Sequence, residues 1–64
     1  MTFYDHLEDY ERVIGKMSSE QALGNAIAIE KIVQTKKERL VRDFYLARQA
    51  MYERYALLLE KAGK

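Results

Sequence analysis

The sequence predicts an all-α protein: a short N-terminal helix followed by one long helix, the two forming a helical hairpin. Three observations carry that prediction. Proline is absent and glycine occurs only three times in 64 residues, so helix breakers are scarce. Apolar residues recur at spacings of three and four, the period of a helix buried along one side. Helix-start signals stand at two places, Thr2 ahead of a run of acids and Ser18 three residues before Gln21.

The first helix is expected at about 3–14. Phe3, Leu7, Tyr10 and Ile14 fall on one face, with Asp5, Glu8, Asp9 and Arg12 opposite. Thr2 is positioned to cap it, and the early acids suit the positive end of the helix dipole. Gly15 stands where a helix commonly closes on a left-handed residue, which opens a turn at about 15–18. Ser18 and Gln21 then have the spacing of a capping box, with Met17 as its hydrophobic staple.

From Ser19 onward no glycine intervenes after Gly24 until Gly63. The one weak point is Gln34–Arg39, six polar residues in which Thr35 and Glu38 have the spacing of a second capping box. Phase argues against a break. Positions 18 apart stand one above the other after five turns, and Ala22 aligns in this way with Leu40 and Leu58. Ala26 likewise aligns with Phe44, Ile29 with Ala47 and Val33 with Met51. The expected architecture is therefore one long helix at about 19–62 within a single domain spanning 1–64. A three-helix bundle broken near Thr35 is the alternative.

Such a helix is roughly 65 Å long against roughly 18 Å for the first, so much of its apolar stripe lies uncovered. The stripe comprises Ile29, Val33, Leu40, Phe44, Ala47, Met51, Tyr55 and Leu58. A bare stripe of that size marks an association surface. The expectation is a two-fold homodimer with the long helices paired and the short ones completing a four-helix arrangement. Chain length points the same way, because a domain this small hides only about 60% of its unfolded surface and needs a staple. Disulfides are excluded by the absence of cysteine, and His6 is the single histidine.

No catalytic, cofactor-binding or metal-binding residues are expected. His6 has Asp5 and Asp9 nearby, but those acids point away from the apolar face and no Glu-x-x-His pattern accompanies them. Ser18 and Ser19 are accounted for by capping. The longest apolar cluster, Tyr55–Leu59, is far short of the ~18 residues that span a membrane. The opening residues lack the features of a signal peptide. Together with a cysteine-free composition, this predicts a cytoplasmic protein with no membrane partner.

Surface chemistry offers two binding readings. Val41, Tyr45, Tyr52 and Leu59, fringed by Arg42 and Arg48, form a second flank rich in the tyrosine and arginine favoured at binding hot spots. That flank is the candidate surface for a larger protein client. The alternative is nucleic acid, contacted by Lys31, Lys36, Lys37, Arg39, Arg42 and Arg48 with tyrosines among them. Glu38 with Arg42, and Arg39 with Asp43, sit four apart and cancel part of that charge. Charge is also divided along the chain: residues 1–21 carry five acids against two bases, and residues 22–64 nine bases against five acids. The pattern predicts a small regulator or adaptor that binds and blocks or redirects a larger protein. Such architectures are used by small inhibitors and anti-activators, some of them encoded by phages and plasmids.

Overall fold

A computed structural model describes residues 5–63, which form three helices and no strand. Helix α1 spans Leu7–Ile14, α2 spans Ser19–Thr35 and α3 spans Arg39–Lys61. The expected cap Thr2, helix residue Phe3 and its neighbour Tyr4 lie outside the described residues. Asp5 and His6 precede the first helix, because His6 has the extended backbone (φ −114°, ψ 139°) of a residue just outside a helix start.

The turn between α1 and α2 follows its local chemistry. Gly15 adopts φ +89°, open to glycine and costly to other residues, while its N–H donates to the Glu11 carbonyl at 3.0 Å. Ser18 and Gln21 form the full capping box. The Gln21 N–H donates to Ser18 Oγ and the Ser18 N–H to Gln21 Oε1, each at 3.2 Å. Met17 packs against the cluster that contains Ala22, the position a hydrophobic staple reaches.

The single long helix at 19–62 gives way to two. Helix α2 ends at Thr35, and Lys36 and Glu38 are extended, with ψ near 130° (131° and 128°). The break differs from the anticipated second capping box. Thr35 closes α2, its hydroxyl donating back to the Ile32 carbonyl at 2.7 Å, and Glu38 is the residue before α3, with no side-chain cap bond. Six polar residues have little to gain from continuing a helix into solvent. Reversal lets the inner stripe of α2, Ala22, Ala26 and Val33, bury against α3 instead. The three-helix alternative fits this count.

Three linker residues suffice to turn the chain, so α2 and α3 lie antiparallel. Ala22 near the start of α2 meets Ala56 and Leu59 near the end of α3. Helix α1 packs on α3 at this same end, called here the base; the linker end is the tip. The base holds the buried cluster Tyr10, Ala22, Tyr55, Ala56 and Leu59, bordered by Leu7, Ile14, Met17, Met51, Tyr52 and Leu58. Tyr10 and Tyr55 are fully buried, their ring centroids 6.2 Å apart and tilted by 47°. A pair in that arrangement adds about 1 kcal/mol beyond the area it buries.

Candidate interaction surface

At about 100° per residue, α3 presents two apolar flanks some 80–90° apart. One carries Val41, Tyr52 and Leu59, with Tyr45 and Arg48 at its edges. The structure turns this flank inward: Leu59 is buried with Ala22 of α2, and Tyr52 packs on the same cluster. Val41, Tyr45 and Arg48 are half-buried, and only Arg42 of the candidate client-binding set is exposed. The flank proposed for a client is thus mostly the internal face of the hairpin. It reads as surface in the sequence only because a continuous helix leaves it without a neighbour.

The other flank carries Leu40, Phe44, Ala47, Met51, Tyr55 and Leu58, the α3 part of the expected core stripe. Its two halves differ. Toward the base, Tyr55 is buried and Met51 and Leu58 pack on the cluster beneath α1. Toward the tip, Leu40 is 84% exposed and Phe44 55% exposed, while Ala47 is half-buried. The difference follows from length: α1 has 8 residues and α3 has 23, so α1 covers only part of it.

Helix α2 contributes to the same side of the hairpin. Asn25 reaches Met17 in the turn after α1, its Nδ2 standing 3.3 Å from the Met17 sulfur. Ile32 lies seven residues further on the same flank and is 38% exposed. Ile29 is half-buried beside it, and Val33 is buried between the helices. Ile32, Leu40 and Phe44 therefore form an apolar surface on the tip half, on the side that α1 covers at the base. Ile32 does not belong to the stripe read from the sequence; its role emerges only once α2 and α3 lie side by side.

Arg48 marks the boundary between covered and uncovered halves. Its guanidinium stands 5.4 Å from the Phe44 ring centroid, and its Nη1 donates to the Val13 carbonyl near the end of α1 at 3.3 Å. Phe44 is also held edge-on to Tyr45, with centroids 5.5 Å apart. Phe44 thus has neighbours on its own helix while remaining 55% exposed as a residue.

The six basic residues considered for nucleic acid do not share a face. Lys31 projects from the outer side of α2, Lys36 and Lys37 belong to the linker, and Arg39, Arg42 and Arg48 leave α3 in three directions. Arg39 pairs with Asp43 at 4.0 Å, a contact between exposed groups and correspondingly weak.

At the base, a cleft between α1 and the end of α3 is lined by Asp5, His6, Glu8, Glu11, Lys16 and Lys61, with Leu58 beneath. Acids and bases are mixed there. Among the described residues no group of three histidines or carboxylates is placed to hold a metal ion. A well-organised polar contact nearby is structural. The Tyr55 hydroxyl donates to Glu11 Oε2 at 2.9 Å and lies 3.5 Å from the Met17 N–H. Burial, reinforced by the bond to Glu11, raises the Tyr55 hydroxyl above the ordinary tyrosine range.

The fold and surface define a class: a helical hairpin capped at one end by a short third helix, with an apolar face left open at the other. Comparison of the chain with protein-family models, curated proteins and solved structures yields no match. No helix among the described residues is long and apolar enough to cross a membrane.

Proposed function

We propose that this chain is a non-enzymatic regulator or adaptor that binds a larger protein in the cytoplasm and blocks or redirects it by occupying one of its surfaces. The observation that carries this reading is the open apolar face at the tip, where Leu40 is 84% and Phe44 55% exposed. A leucine that exposed gains nothing for the fold, and grouped with Phe44 and Ile32 it has the character of a contact surface. The docking residues are thus Ile32, Leu40 and Phe44 on the α1 side, in place of the inward flank of α3.

Self-association is the second reading, favoured by the opposition of charge between an acidic α1 and a basic tip. Two copies related by a two-fold axis would bring bare tip faces together and set each tip near the other copy's α1.

Affinity capture from a lysate, with and without nuclease, tests the first reading. The expected result is one stoichiometric protein that survives nuclease and is lost with Leu40→Glu and Phe44→Glu together. Retention of that protein by the double variant removes the tip from the interface. Collapse on nuclease treatment assigns the chain to nucleic acid instead.

A further inference from the structure

The covered half of the α3 flank indicates what the open half is built to receive. At the base, the occupant is α1, a two-turn amphipathic helix that places Leu7, Tyr10 and Ile14 toward the cluster and carries Glu8, Asp9 and Glu11. The open half continues the same row of α3 side chains by Ala47, Phe44 and Leu40, at the same helical spacings. It differs in charge. Residues 36–48 hold five bases (Lys36, Lys37, Arg39, Arg42, Arg48) against two acids, Glu38 and Asp43, a net +3. Arg48 stands where the two halves meet, its Nη1 donating to the Val13 backbone carbonyl in the last turn of α1.

We infer that the tip face is a docking groove for an acidic amphipathic helix of a partner protein, seated in line with α1 on the same side of the hairpin. The partner helix lays apolar residues at i, i+3 and i+7 over Leu40, Phe44 and Ile32. Its acids face Lys36 and Lys37 of the linker beyond the apolar strip and Arg48 at its inner edge. The open part of α3, from Leu40 to Arg48, is about 13 Å long, which sets the docked segment at two to three turns. Nucleic acid fits less well, because the centre of the tip face is apolar, with Leu40 84% and Phe44 55% exposed. The inference rests on the adaptor reading and names the chemistry of its client.

The test is a titration of the ¹⁵N-labelled full chain followed by amide chemical shifts. The probe is a synthetic helix-stapled peptide with the sequence of residues 5–16, which carries the acidic amphipathic pattern. The control is the same peptide with Asp5, Glu8, Asp9 and Glu11 replaced by lysine. The expected result is saturable shifts confined to residues 29–48, at least tenfold weaker binding of the control, and loss of binding with Leu40→Glu and Phe44→Glu. Because both substituted residues are exposed, unchanged shifts around Tyr10 and Tyr55 verify that the double variant is folded.

Equal affinity for both peptides overturns the proposal, as do shifts centred on Tyr10 and Tyr55, which signal displacement of α1. Concentration-dependent doubling of mass without peptide, with shifts at the same residues, gives the groove to a second copy and also overturns it. A short RNA duplex that produces the same shifts more tightly than the acidic peptide does so in favour of nucleic acid. Failure of the peptide, with client capture still lost in the double variant, removes the acidic-helix inference and leaves the adaptor reading standing. Retained capture in the double variant removes the adaptor reading itself.

Discussion

At the scale of single residues, Tyr55 does the most to hold the molecule together. Its ring is buried against Tyr10, and its hydroxyl reaches Glu11 of α1 and Met17 of the turn from the last third of α3. Replacing it with phenylalanine keeps the ring and removes the ties, and the expected loss is about 1 kcal/mol. For a chain of this size that lowers the thermal midpoint by about 4–8 °C. The variant also isolates a pH effect. The folded state raises the Tyr55 hydroxyl above its unfolded value, near 10, so the neutral phenol is favoured by folding. Its contribution is full below that unfolded value and is lost as pH rises through the folded one. Thermal unfolding from pH 8 to 11 should therefore show a steeper decline for the parent than for Tyr55→Phe. Parallel declines would mean that the hydroxyl is not coupled to folding. The place of Tyr55 in the core was legible from its spacing with Met51 and Leu58. Its partner was not, since Glu11 reads in sequence as one more acid on an acidic helix.

Among elements, the break between α2 and α3 is where sequence reasoning went astray, and the cause is specific. In α2 the inner stripe of Ala22, Ala26, Ile29 and Val33 is narrow and unambiguous. In α3 apolar residues occupy both flanks, so one of them keeps phase with α2 whether or not the helix is continuous. The agreement at 18-residue spacing followed the Leu40–Leu58 flank, whereas the hairpin buries the flank of Val41, Tyr52 and Leu59. The capping box at Ser18 was legible because it is local; the reversal at Lys36–Glu38 was not, because burial of one helix on another drives it. Spin labels on cysteines replacing Glu20 and Glu60, in a chain with no cysteine of its own, separate the two architectures. A continuous helix holds these positions about 60 Å apart, and the hairpin brings both to the base, within half that distance. Helix α2 also carries an untapped reserve. A Cβ built on Gly24 meets nothing within 4 Å, and its φ is not in the left-handed range. Gly24→Ala should raise stability by about 0.5–1 kcal/mol in denaturant unfolding, and a decrease would show that this position of α2 is not helical in solution.

For the molecule as a whole, the base and the tip carry different loads. The base gathers three chain segments around two buried tyrosines, while the tip consists of two helices that α1 does not reach. The overall extents of 38 × 22 × 15 Å reflect that shape, longer than a uniformly packed chain of this length. Leu40→Glu should leave the thermal midpoint nearly unchanged, since the residue is 84% exposed. Phe44→Glu also gives up the ring's contacts with Arg48 and Tyr45, worth about 1 kcal/mol. A fall of more than a few degrees for Leu40→Glu alone would assign that residue to folding and not to docking. That a surplus of apolar surface existed was legible from length and composition; which half of the hairpin would keep it depended on how far α1 reaches. The short reach of α1 has a further consequence. Mutations at the linker end can accumulate without dismantling the tyrosine cluster, so under the proposed adaptor role preference for a target can drift, or be rewritten by design, on a scaffold whose solidity is set elsewhere.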